Sequence, residues 1–249
     1  MDFENMKYHA TSEQLVKVLM DKTLTHDPLF FRILVGFYTA LAASQMRWSI
    51  KTLDRGNIPI NMYALNLAPS GFGKSLSCSF LENDILGSFR QEFIEDTFPE
   101  RANEQLAKLA TWRATRFGKD PDEVLRELEK EFRGLGSMLF SFDSGTSPAI
   151  KQLRQKLLLA NVGSLNFIVD EIGTNLKNNK EMFDIYLELF DKGMVKQKLI
   201  KNSSDNPRGE ESFGMTPANL LMFGVPNRLM NSDATEDEFM AMLVLRVVT

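Results

Sequence analysis

The octet Ala68-Pro69-Ser70-Gly71-Phe72-Gly73-Lys74-Ser75 restricts the folding of this chain more than any other stretch. It follows the largely apolar run 61–67 and opens a segment of helical character, so it sits at a strand-to-helix turn. The pattern is that of a phosphate-binding loop with Ala68 in the place of the first glycine. Small, flexible residues let successive backbone N–H groups curl around an anion at a helix N-terminus, whose dipole favours negative charge. Lys74 would then reach the outer phosphates and Ser75 would ligate magnesium, with Pro69, Ser70, Phe72 and Leu76 completing the cradle. An ordinary turn can match this spacing by chance; the flanking strand and helix favour the nucleotide reading.

A chain of 249 residues is long enough for one large domain, or for a core with a small appendage. Its net charge of -4 argues against a generally basic, nucleic-acid-coating surface, although local basic tracts stay open. Two histidines and one cysteine argue against a His/Cys metal site, and the single cysteine excludes an intramolecular disulfide, which suits a reducing compartment. Cys78, just inside the helix after the loop, reads as a buried, inert thiol. No apolar run approaches the roughly 18 residues of a membrane span, and the acidic opening Met1-Asp2-Phe3-Glu4 is no signal peptide. The expected location is the cytoplasm, with no membrane partner.

Residues 1–45 read as a helical lead-in. Thr11-Ser12-Glu13-Gln14 resembles a capping box, and Asp27-Pro28 starts a second helix whose Phe30, Phe31, Ile33, Leu34, Phe37 and Leu41 form a broad apolar face. The remainder, 46–249, reads as the core. Trp48-Ser49-Ile50 predicts a short strand ended by the turn cluster Asp54-Arg55-Gly56-Asn57, and a long helix is expected from Lys74 onward. Within the core, 99–134 is strongly charged with mixed signs and contains the helix start Asp120-Pro121, so it predicts a solvated helical hairpin inserted into the fold. The run 137–142 predicts a buried strand, followed by a turn and a helix over 148–159; Asp143 and Thr146 are candidates to face a ligand or to cap that turn.

The run Leu165-Asn166-Phe167-Ile168-Val169-Asp170-Glu171 is a short apolar strand ending in two acids. Strands in the middle of a parallel sheet look like this, and such sheets place ligands at their carboxyl ends. In a phosphate-loop enzyme Asp170 would hold magnesium together with Ser75, and Glu171 would orient or deprotonate the attacking water. A helix is expected over 180–191. Beyond it Lys192, Lys196, Lys198 and Lys201 crowd a short span that fits either a phosphate-facing strand or a solvated one. Residues 202–209 read as a loop, 219–224 as an apolar strand, 235–242 as a helix and 243–248 as a fifth strand; the absence of a polar tail suggests a core cut short.

The order of these segments, with a glutamate following the magnesium aspartate, resembles the additional-strand ATPases: AAA+, helicase and RecA-like machines. More narrowly, residues 61–75, 143–157, 165–174, 186–193 and the strand near Leu220 look like an uncharacterised group of phage and plasmid P-loop ATPases, often attached to primase domains. The resemblance implies a P-loop NTPase α/β core with a mostly parallel five-stranded sheet in the order 5-1-4-3-2. It also implies Asn227 as sensor of the γ-phosphate, an arginine finger for which Arg208, Arg228 and Arg246 are candidates, and ATP with Mg2+ as cofactors. The activity it implies is helicase-like ATP hydrolysis in DNA replication inside a bacterial host. Single-stranded DNA would be the partner and a homo-oligomeric ring the assembly. A nucleotide-gated adaptor or helicase loader with little turnover, and a small-molecule kinase, remain as alternatives.

Overall fold

Helix α1 spans Ala10–Thr23 and helix α2 spans Pro28–Gln45, in a computed structural model that describes residues 7–54, 56–143, 145–170, 180–190, 193 and 214–225. The start of α2 is the expected one: Asp27 accepts the Leu29 N–H at 3.0 Å, and Pro28 occupies the first turn, where its missing N–H costs nothing. The start of α1 is not. Its cap is His9, whose Nδ1 accepts from the Thr11 N–H at 3.3 Å, so Thr11 and Glu13 lie inside the helix rather than forming a capping box. Glu13 instead takes a bidentate hydrogen bond from Arg32 of α2, at 2.8 and 2.6 Å, which holds its carboxyl below the usual carboxylate range.

The apolar stripe of α2 covers the main sheet. That sheet has three parallel strands, β3 (Tyr63–Leu67), β4 (Leu165–Val169) and β5 (Ala218–Gly224), in the order β3-β5-β4. β5 is buried at every position because it pairs on both edges and is covered by helices, which is why its sequence is nearly all apolar. The three neighbours reproduce the 1-4-3 part of the anticipated strand order. Residues 243–248, the anticipated fifth strand, lie outside the described residues.

The anticipated strand over 137–142 does not form. Gly136–Leu139 is a single 3-10 turn, and only Phe142 reaches the sheet, donating to Asn166 O and accepting from the Ile168 N–H, both at 3.1 Å. The apolar run has a different task. Phe140 packs edge-on against Phe89 and Phe93, and the Leu139 carbonyl is taken by the side chains of Gln45 and Asn166 instead of a strand partner. Trp48 leads into a separate antiparallel hairpin, β1 (Ser49–Thr52) with β2 (Gly56–Pro59), which stands apart from the main sheet.

The helix after the phosphate-loop octet is segmented. α3 (Lys74–Ser79) widens into a π turn at Phe80–Ile85, α4 (Gly87–Glu92) into another at Phe93–Thr97, and α5 (Phe98–Phe117) follows. Pro99 has no N–H to return to the preceding turn, so the ladder must shift there. α6 (Pro121–Arg133) folds back on α5 as anticipated, but the hairpin is not merely solvated. Ala102, Leu106, Ala110 and Ala114 line one face of α5 at a spacing of four and meet Val124, Leu128 and Phe132 of α6, all buried. The small alanines allow close approach, and Phe98 stacked on Phe132 joins this layer to the core. The mixed charges pair on the outer faces, as in Lys108–Glu104 and Lys156–Glu131, where each contributes little. α7 (Ser147–Ala160) and α8 (Lys180–Leu189) complete the described elements, and among the described residues no helix is long and apolar enough to cross a membrane.

A buried polar cluster ties α2 to β4 and β5 at the amino ends of the strands. Asn219 donates to Asn166 Oδ1 at 2.8 Å and to Ser44 Oγ at 2.6 Å while accepting the Met62 N–H at 2.8 Å. Ser164 completes it, bonded to Ser44 at 3.0 Å and to Asn166 at 3.2 Å. Every one of these side chains is buried, so each relies on the others for its hydrogen bonds.

Candidate functional site

The parallel sheet brings the carboxyl ends of β3, β5 and β4 to one edge, and the octet leaves from it. Ala68, almost fully buried, extends the ladder by donating to Gly224 O at 3.0 Å. Gly71 and Gly73 both have positive φ, +82° and +84°, which is the backbone a curled loop needs and which other residues adopt only under strain. A Cβ on Gly71 would meet nothing within 4 Å, so the loop is open on that side. Pro69, Ser70 and Ser75 are exposed, and Leu76 is 54% exposed despite its size.

The first bond of α3 runs from Ser77 N–H to Gly73 O at 2.9 Å. The amides of Lys74, Ser75 and Leu76 therefore have no acceptor inside the helix, and no side chain caps them. Lys74 donates from Nζ to the Ala68 carbonyl at 3.2 Å, which draws its ammonium back across the mouth of the loop. A loop of this form can wrap an anion, with the ammonium free to exchange a neutral carbonyl for a charged oxygen.

Asp170 follows β4 directly and is exposed at the same edge. β5 separates β3 from β4, so their ends stand about 10 Å apart, two strand spacings. The Asp170 carboxylate acts on α3: with burial as the main cause, and against a hydrogen bond from Tyr38, the charges of Glu82 and Asp170 help to push the Cys78 thiol up to about 12. Cys78 lies one helical turn beyond Ser75, on the same side of α3. Ser75 and Asp170 supply two oxygens, and no cluster of three or more metal-binding side chains exists among the described residues. Such a pair suits a magnesium ion that takes its remaining ligands from phosphates and water.

The raised Cys78 pKa carries a consequence of its own. In the folded chain at pH 8 the thiol is expected to resist iodoacetamide and to react at an ordinary rate only after unfolding in urea, as read by mass spectrometry.

Of the remaining candidates, Glu171 and Asn227 lie outside the described residues, as do Arg208, Arg228, Arg246, Lys192, Lys196, Lys198 and Lys201. Thr146 is a helix cap, accepting the Ala149 N–H at 3.4 Å. Asp143 is exposed beside Tyr186, whose hydroxyl it helps to push up, burial being the larger cause. The contribution of the lead-in was not visible in the sequence. The Phe72 ring meets the edge of Phe30 at 4.9 Å and lies nearly parallel to Phe31 at 6.4 Å. An aromatic residue at a variable position of the octet was the available signal, because such a side chain must find a partner. A groove of about 290 Å³ between α5 and α6, lined by Phe98, Leu106, Phe132 and Leu139, is remote from this edge and shares none of its residues.

Comparison with family models, curated proteins and solved structures yields no match for this chain.

Proposed function

We propose that this chain is a magnesium-dependent P-loop ATPase of the additional-strand type. The observation that carries the reading is the insertion of β5 between the strand that feeds the loop and the strand that ends in Asp170, all three parallel. This is the arrangement expected where a central strand carries a phosphate sensor between a phosphate loop and a hydrolytic acid. It also favours an ATPase over a small-molecule kinase. The full five-stranded sheet, with 243–248 beside β3, belongs to the same proposal.

In this reading the amides of Gly71 to Leu76 and the Lys74 ammonium bind the phosphates, and Ser75 with Asp170 orients the metal. Magnesium, when bound, would neutralise charge on the phosphate oxygens. Glu171 would hold and deprotonate the attacking water, and Asn227, three positions beyond the end of β5 in sequence, would sense the γ-phosphate. Helicase-like work on single-stranded DNA in phage or plasmid replication, as a ring, follows from the sequence resemblance alone.

Glu171→Gln is expected to abolish steady-state ATP hydrolysis, by about 100-fold or more, while Mg-ATP affinity stays within about threefold of wild type. Phosphate release and equilibrium binding measured on the same sample provide the check. Hydrolysis retained in that variant would remove Glu171 from its role. Stimulation of turnover by single-stranded DNA, with a rise in oligomer size in a non-hydrolysable ATP analogue, is the result expected of a helicase; no stimulation and a persistent monomer would exclude it.

A further inference from the structure

We propose that the α1–α2 junction is the floor of the phosphate loop, and that Thr23 and Phe72 are positioning residues that hold Gly71–Ser75 in its curled conformation. Three contacts from the lead-in bracket the loop in order. Before it, Asn66 of β3, fully buried, donates from Nδ2 to the Phe30 carbonyl at 3.1 Å. Within it, the Phe72 ring is seated against Phe30 and Phe31. At its turn into α3, the Thr23 methyl presses on Gly73 so closely that a Cβ there would fall 2.6 Å from Thr23 Cγ2.

Thr23 is itself fixed, because its hydroxyl donates to the Leu19 carbonyl at 2.8 Å and so aims the methyl at the loop. Gly73 is thus required twice, by its positive φ of +84° and by the side chain beneath it. In each contact one partner, Thr23, Phe30 or Phe31, comes from outside the octet and the strand before it. A loop pre-shaped in this way loses less freedom when an anion enters it, which raises affinity without a direct contact to the ligand.

The consequence for affinity rests on the nucleotide reading, but the positioning itself does not, and the two can be tested apart. The first measurement is hydrogen–deuterium exchange of the Ser77 amide, which donates to Gly73 O at 2.9 Å, in the full chain without nucleotide. Thr23→Ala, which removes the methyl, is expected to speed its exchange roughly fourfold, while the amides of 220–223 stay unchanged. Thr23→Val, which keeps the methyl and puts a second methyl in place of the hydroxyl, is held in its rotamer by its own β-branching and is expected to exchange within about twofold of wild type. Phe72→Leu serves as a second variant, confined to the loop, and is expected to speed exchange at the same amide.

The second measurement is equilibrium binding of a fluorescent Mg-ATP analogue, expected to weaken roughly fourfold in Thr23→Ala and to stay near wild type in Thr23→Val. Wild-type exchange at the Ser77 amide in both Thr23→Ala and Phe72→Leu would overturn the positioning role. Faster exchange in a protein whose wild type binds no nucleotide would leave the floor standing and remove the ATPase reading instead.

Discussion

Replacing Asn219 by leucine is expected to lower the unfolding free energy by about 4 kcal/mol. Leucine has the same branching and is the larger side chain, so no cavity opens and the cost lies in lost hydrogen bonds with some overpacking. Asn219 donates to Asn166 and Ser44 and accepts the Met62 N–H, at 2.8, 2.6 and 2.8 Å. Leucine leaves the buried Asn166 Oδ1 and Ser44 Oγ and the half-buried Met62 N–H without those partners, each at about 1–3 kcal/mol, with some relaxation between them. In a domain of this size the melting temperature should fall by roughly 10 °C. Urea unfolding followed by circular dichroism measures it directly. A loss below about 1 kcal/mol would mean that the cluster is dispensable and that the sheet is held by apolar packing alone.

Lys74→Ala is the substitution with the largest expected effect on binding. Its ammonium makes a hydrogen bond to the Ala68 carbonyl at 3.2 Å, a neutral acceptor within the same loop. Transfer of that donor to a phosphate oxygen would replace a neutral bond with a charge-assisted one, contributing about 1.5–3 kcal/mol. Mg-ATP affinity measured by calorimetry should therefore fall about 10- to 100-fold, and hydrolysis should disappear. Stability should change by less than about 1 kcal/mol, because the lost bond is partly exposed and local. Unchanged affinity would show that the loop does not bind phosphates through this lysine.

The two variants separate parts of the molecule that the sheet joins. Asn219 sits at the amino end of β5, and Gly224, which anchors the loop through the Ala68 N–H, at its carboxyl end. Damage to the first should unfold the protein, whereas damage at Lys74 should silence it while it stays folded. Measuring both stability and nucleotide affinity on each variant tests that separation.

Several features were legible in the sequence because their causes are local. The octet, the start of α2 at Asp27-Pro28, and the apolar strands β4 and β5 each depend on residues a few positions apart, through backbone freedom, capping and alternation with flanking turns. The 1-4-3 strand order came from the succession of segments and the family resemblance, and the three described strands follow it.

Other features needed the assembled fold. The apolar run 137–142 looks like a strand by composition, yet Leu139 and Phe140 are claimed by side chains of α2 and α4, so only Phe142 pairs. The alanine face of α5 becomes core only because α6 covers it. By itself the sequence determined that the glycine-bearing octet 68–75 would stand between a strand and a helix, with an acid-ended strand 96 positions beyond Lys74. Only the tertiary structure decided that β5 stands between the strand feeding the octet and the strand ending at Asp170, and that Thr23 and Phe30 lie beneath the loop. Spacing and capping act within a turn or two of chain, while contacts between residues 50 or 175 positions apart, such as Thr23 with Gly73 and Ser44 with Asn219, exist only once helices and sheet have packed.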